Sequence, residues 1–211
     1  YKPKDYNATV READTARKEH YIDEIAKVVE HAALGLQEAM KSDNKLIAET
    51  EYKAKLPGNA LPHNTLPDYG RRGDLKTKWS SPHHNAKDPT TTKWRKASLP
   101  SSLTNMFDMN NVYQAAGFYA LNGKRTPFLV YANAYDYKIF NEHNAPELKP
   151  DFLEEVIRDI AMHHKTTENI LQAAQDTNEL FSLCDPDFNQ IYWKEPPAYL
   201  NQAKKVWGLE A

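Results

Sequence analysis

The chain is short of cysteine, of glycine and of long apolar runs, and each shortage removes a class of function. Cys184 is the one cysteine. It cannot form an internal disulfide, and a zinc site built on two or more thiolates is excluded. Seven glycines among 211 residues leave little backbone for cradling phosphates. No phosphate-binding glycine loop, dinucleotide fingerprint or Gly-x-Ser-x-Gly occurs. No run reaches the ~20 consecutive apolar residues of a membrane helix, so no membrane span is expected. A basic-then-apolar leader is also missing. The chain opens on Tyr1 rather than Met. That reads as a processed or fragment N-terminus and points to a soluble protein in a periplasmic or secreted setting.

What is present is ordinary globular composition, 40% hydrophobic and 27% charged. Thirteen prolines imply stiff loops rather than flexible linkers. The net charge of −2 is unevenly spread. Residues 68–96 hold eight Lys/Arg against three Asp, whereas residues 141–211 hold six Lys/Arg against thirteen Asp/Glu. Either two faces serve two partners, or a basic loop lies on the chain's own acidic helices.

Thr9 and Glu12 have capping-box spacing, and Tyr21, Ile25, Val28, Val29, Ala32, Leu36 and Ala39 recur as one helix stripe. A helix is expected from about 9 to 42, with a short second one through 46–55. Leu56-Pro57, Leu61-Pro62 and Leu66-Pro67 then repeat at a five-residue period. Proline excludes a helix or a central strand here, so successive extended turns are expected, with the leucines as pegs. Residues 56–103 show no helical period and no convincing strand, yet Trp79 and Trp94 argue against disorder.

Asn122-Gly123 between two apolar runs reads as a hairpin within 111–137, or else as a helix ending at Gly123. Phe128-Leu129-Val130-Tyr131 is strand-prone. Leu153, Ile157, Ile160, His164, Thr167, Leu171, Ala174, Asn178 and Phe181 form one seam of a helix from 152 to about 183. A last helix is expected over 198–207, after Pro196-Pro197.

The whole is expected to be one α+β domain over 1–211, mainly helical. Its helical parts are 9–55 and 151–207. Between them lie an irregular basic proline-rich segment at 56–103 and a small antiparallel β-element at 111–137.

Several side-chain sets carry possible chemistry. His20, Glu24 and His31 share a helix face, and Asp159 and His163 repeat on the late helix, so the five offer a metal set. The competing reading is solvated faces with i,i+4 charge pairs. His164 falls on the apolar seam, where a buried polar group needs a partner or lines a cavity. Arg71, Arg72, Lys76, Lys78, Trp79, His83, His84, Lys87, Lys93, Trp94, Arg95 and Lys96 interleave cations with indoles, as single-stranded nucleic-acid binders do. Overall acidity argues against nucleic acid as the partner. Cys184 sits by a helix C-terminus, which raises rather than lowers a thiol pKa.

Pro82, Asn85, Asp88, Pro89 and Trp94 resemble a proline-asparagine stretch of haem-binding sensor domains. The order long helix, irregular loop, small β-region likewise resembles extracytoplasmic sensor domains with a PAS-like sheet. Cys-x-x-Cys-His is absent, and the part after about residue 151 has no counterpart there. The resemblance therefore names no cofactor.

The function expected first is a non-catalytic extracytoplasmic binding or sensor-type domain for a small polar or anionic ligand. Its pocket would lie between the 152–183 seam and the 68–137 region, lined by Arg71, Arg72, Trp79, Trp94, Tyr131, Tyr135 and His164. A structural or accessory subunit gripping a protein partner along 56–103 comes second. A metal-dependent enzyme using His20, Glu24, His31, Asp159 and His163 comes third.

Overall fold

An apolar stripe on a long helix needs a partner surface, and here a small sheet supplies it. The computed structural model describes residues 6–41, 51–69, 72–85 and 88–183, with 201, 204 and 205. It shows an α+β protein. The chain, read from its length as one domain, divides into two compact units: Tyr1–Ala54 with His63–Arg158, and Lys55–Pro62 with Asp159–Ala211.

The first unit begins with α1 (Tyr6–Ala39), close to the expected helix. Where a second helix was expected to run to residue 55, β1 (Tyr52–Lys55) forms instead and pairs with β2 (Pro62–Thr65). Residues 42–50 lie outside the described residues. The 56–103 stretch is not irregular throughout. Besides β2 it contains β3 (Gly73–Thr77) and an antiparallel ribbon of β4 (Ser81–Asn85) with β5 (Asp88–Arg95). β2, β4 and β5 escape sequence reading because they carry no apolar–polar alternation, and β3 because its alternation spans only a few residues.

Residues 106–121 form a helix, α2 (Met106–Leu121), rather than the first arm of a hairpin. The Asn105 side chain accepts the Asp108 N–H at 3.0 Å, an N-cap bond. At the other end the Lys124 N–H reaches the Tyr119 carbonyl at 3.0 Å, and Gly123 sits at φ 64°. This six-to-one closure over a left-handed glycine stops the helix. Asn-Gly is thus a helix stop here, not a hairpin turn.

The sheet at the centre of the first unit has order β3-β6-β7, with β6 (Phe128–Ala132) and β7 (Tyr137–Phe140). It is mixed, not antiparallel as expected. β3 and β6 run parallel, Gly73 opposite Phe128 and Lys76 opposite Tyr131, while β6 and β7 are antiparallel. Parallel neighbours need a long crossover, which α2 and its flanking segments provide. All five β6 residues are buried. Alternation sends Phe128 and Val130 to one face, where they pack with Leu36 and Met40 at the end of α1. Tyr131 goes to the other face, beneath α2.

The late helix is two helices. α3 (Pro150–Ala173) starts with proline at its first position, where the missing N–H costs nothing. α4 (Thr177–Leu183) follows a break. Asp176 accepts the Glu179 N–H at 2.9 Å and Glu179 accepts the Gln175 N–H at 2.8 Å, a fresh capping pair that restarts the helix. Along the expected seam, Leu153 and Ile157 are buried, but Thr167 and Leu171 are exposed. The 198–207 helix lies outside the described residues except for 201, 204 and 205, which are helical.

In the second unit, the chain from Leu56 to Leu61 is tied to α3. Pro57 and Gly58 form a turn closed by the Asn59 N–H to the Leu56 carbonyl at 3.0 Å. The Glu168 carboxylate accepts the N–H groups of both Ala60 and Leu61 at 2.7 Å, which holds it below the ordinary carboxylate range. Asn59 donates to the Ala161 carbonyl at 3.0 Å. Of the three repeated leucines only Leu56 is a peg; Leu61 and Leu66 are exposed. No helix of the described residues is long and apolar enough to cross a membrane.

Candidate functional site

β3 presents a different chemistry on each side. Leu75 and Thr77, with Trp79 just beyond the strand, line an apolar groove of about 350 Å3 against Ile25, Val29 and Leu36 of α1. Asp74, Lys76 and Lys78 alternate with them and meet partners on α2 and β6. This second side holds a set of interacting charges.

Asp74 lies at the centre, 1% exposed. The Lys76 ammonium is 2.6 Å from Asp74 Oδ2 and donates to Gln114 Oε1 on α2 at 2.9 Å. Asp74 Oδ2 is itself buried and makes no well-aligned hydrogen bond. Asp68 reaches the same place because the chain doubles back between them. Tyr69 and Gly73 exchange N–H to carbonyl bonds at 3.0 and 2.7 Å. Gly73 allows this: a Cβ there would stand 2.2 Å from the Phe128 ring and 2.9 Å from the Tyr69 carbonyl oxygen. Asp68 accepts the Leu75 N–H at 2.9 Å. Burial pushes the Asp74 carboxyl up to about 7; Lys76 pulls it down, and the neighbouring Asp68 carboxyl adds to the rise.

Further along the same side, Tyr131 donates its hydroxyl hydrogen to Asp108 Oδ1 at 2.9 Å and accepts from Asn111 Nδ2 at 2.7 Å. Asn105 also donates to Asp108. Lys78 stands 3.8 Å from Asp108 Oδ1 and over the Tyr131 ring at 5.4 Å. Burial first, and then Asp108, raise the Tyr131 phenol far above its ordinary range.

Of the seven expected ligand residues, Tyr131 belongs to this network. Arg71 lies outside the described residues. Arg72 donates to the Thr126 carbonyl at 3.0 Å, stacks over Phe128 at 5.8 Å and lines a cleft of about 260 Å3 with Glu142 and His143. Trp79 and Trp94 come together around Tyr21, at 5.5 and 6.0 Å, and Trp94 stacks flat on His20 at 3.8 Å. Tyr135 is exposed on the β6–β7 turn. His164 is half-buried and belongs to the second unit.

The expected metal set divides the same way. His20 and Glu24 meet at 3.4 Å, but Glu24 is buried and accepts the Ser80 hydroxyl at 2.5 Å. His31 Nδ1 is 2.9 Å from the Lys27 carbonyl of its own helix. Asp159 and His163 are exposed residues of the second unit. Among the described residues no group of three or more His, Cys, Asp or Glu side chains is placed to hold a metal ion.

Asp68, Asp74 and Asp108 are the residues that sequence reasoning passed over, while Lys76 and Lys78 were read only as members of the basic run. Two local signals were available: Asp74-x-Lys76-x-Lys78, a charged strand alternation, and Asn105-x-x-Asp108, a helix start. Neither says that the two would face each other. No family model, curated protein or solved structure matches the chain.

Proposed function

We propose that the chain is a divalent-cation-dependent phosphodiesterase acting on nucleic acid, with its reaction centre at Asp68, Asp74 and Lys76. The observation that supports it is the burial of Asp74 between a second carboxyl and an ammonium. Two carboxyls forced together are costly without compensating charge, and the Lys76 ammonium offsets only one of them. Oxygen-only donors suit a hard cation such as Mg2+, which binds through one or two carboxylates and completes its shell with waters and substrate phosphate. A third protein ligand is not required by that chemistry. When bound, such a cation would neutralise charge on the phosphate and make water more acidic.

The chain's own groups have separable roles. Asp68 and Asp74 would hold the cation. Lys76, whose ammonium lies 2.6 Å from Asp74, would contact a phosphate oxygen or orient the attacking water. The water oxygen would bond to phosphorus and release a proton to solvent, the ester P–O bond would break, and the departing alcohol oxygen would take up a proton from solvent. Local charge supports a polyanionic substrate. The chain's overall acidity resides in residues 141–211, whereas residues 68–96, which include the site, carry a net positive charge.

A second reading, the binding domain for a small anionic ligand, rests on the cleft beside Arg72. One experiment weighs both. Purified chain is incubated with supercoiled plasmid and labelled single strands in Mg2+, in Mn2+ and in EDTA, alongside Asp74→Ala and Lys76→Ala. Cation-dependent cleavage lost in both variants is expected. Cleavage that persists in both would assign it to a contaminant and overturn the proposal. No cleavage at all, with saturable phosphate binding lost in Arg72→Ala, would favour the binding domain.

A further inference from the structure

The β6–β7 turn exposes an aromatic ring and also holds it still. Tyr135 is 47% exposed, with the Lys96 ammonium 4.4 Å from its ring centroid on one face. Mobile loops seldom carry this much bracing. Asn133 Oδ1 accepts the N–H groups of Tyr135 at 2.7 Å and Asp136 at 2.8 Å, and the Asn133 N–H bonds the Asp136 carbonyl at 3.0 Å. Asn133 Nδ2 also donates to the Ala97 carbonyl at 2.8 Å, one residue beyond Lys96. Lys138 donates to the Pro100 and Ser101 carbonyls at 3.0 and 2.9 Å. The ring and the cation are thus bolted to one another through the sheet.

Position matters as well. Asn133 follows directly on β6, which ends at Ala132. The Lys78 N–H bonds the Ala132 carbonyl at 2.8 Å, so the turn lies at the end of β3 that Lys78 marks. From Asp74 to there is about 13 Å, four strand residues at roughly 3.3 Å each. That spans a few nucleotides of a bound strand.

We propose that Tyr135 and Lys96 form a stacking seat for an unpaired base of the nucleic-acid strand whose phosphate is cleaved at Asp74. The inference rests on the phosphodiesterase reading. An unpaired base would cover the open face of Tyr135. Lys96, which covers the other face, would contact the adjoining phosphate. A stacked aromatic with a flanking cation is the sequence-tolerant way to hold single strands.

The test is fluorescence anisotropy of a fluorescein-labelled 20-nucleotide single strand and of its duplex, in EDTA so that nothing is cleaved. Tyr135→Ala is expected to weaken single-strand binding about tenfold, within the range of one base–aromatic contact. Tyr135→Phe keeps the ring and should bind like the wild type. Lys96→Met should lower the salt dependence of single-strand binding by about one phosphate contact. On an abasic strand of the same length, Tyr135→Ala and wild type should be equal. Circular dichroism melts establish that each variant is folded. Unchanged single-strand affinity in Tyr135→Ala, with wild type cleaving normally in Mg2+, overturns the seat and leaves the phosphodiesterase reading standing. Wild type that neither binds nor cleaves either nucleic acid overturns both.

Discussion

Asp74→Asn should stabilise the cation-free protein at alkaline pH while abolishing its proposed activity. The unfolded chain loses the Asp74 proton near 3.8, whereas burial keeps it on up to about 7 in the folded state. Between those values the folded state binds more protons than the unfolded one, so stability falls as pH rises. The stabilising contribution is whole below the unfolded value and gone above the folded one. A gap of about three pKa units corresponds to about 4 kcal/mol as a ceiling. Roughly two of those units, about 3 kcal/mol, lie between pH 5 and 7. Asparagine has nearly the same shape and no titrating proton, but it forfeits the 2.6 Å ion pair with Lys76. A net gain of about 1–3 kcal/mol at pH 8 is therefore expected, with little gain at pH 5.

Urea denaturation in EDTA, followed by tryptophan fluorescence from pH 5 to 8.5, measures this directly. Wild-type stability should decline across the range, and the variant's should be flatter. If the cation binds at Asp74 as proposed, adding Mg2+ at pH 8 should restore the wild type and leave the variant unmoved. A variant-minus-wild-type difference that is the same at pH 5 and pH 8 would refute the burial argument. Equal responses to Mg2+ would refute the cation site.

Two further substitutions probe how the site is held. Gly73→Ala forces a methyl group against the Phe128 ring and the Tyr69 carbonyl; a loss of about 1–3 kcal/mol from overpacking is expected in urea denaturation at pH 7. Tyr131→Phe removes the hydroxyl that links Asp108 to Asn111. It should cost about 1–2 kcal/mol, since it leaves buried polar atoms with fewer partners, and an unchanged denaturation midpoint would show that water replaces the hydroxyl.

Much of the helical framework was legible because its causes are local. The stripe from Tyr21 to Ala39 is a 3.6-residue period, and α1 forms there. Leu153 and Ile157 belong to the same kind of period and are buried. Pro57-Gly58 specifies its turn through proline's fixed φ and a glycine at φ 80°. Gly123 allowed two outcomes, a hairpin or a helix stop, and the side-chain cap at Asn105 decided for the helix. The break before α4 was missed because a nine-residue seam outweighed the short Asp176-x-x-Glu179 signal.

The sequence by itself determined where the chain can be helical, where prolines forbid it, and that one cysteine permits no disulfide. These follow from dihedral limits, hydrogen-bond periodicity and bond chemistry, each acting within a few residues. Only the tertiary structure decided that β3 lies parallel to β6, and that pairing turns a charged alternation into a packed charge cluster. Asp74-x-Lys76-x-Lys78 reads locally as a solvated strand face. It becomes a buried centre because α2 covers it, because Gly73 admits the Phe128 ring, and because the chain folds Asp68 back onto Asp74. The contacts with α2 and Phe128 join residues far apart in sequence, and their energy depends on exclusion of water, which no local pattern records.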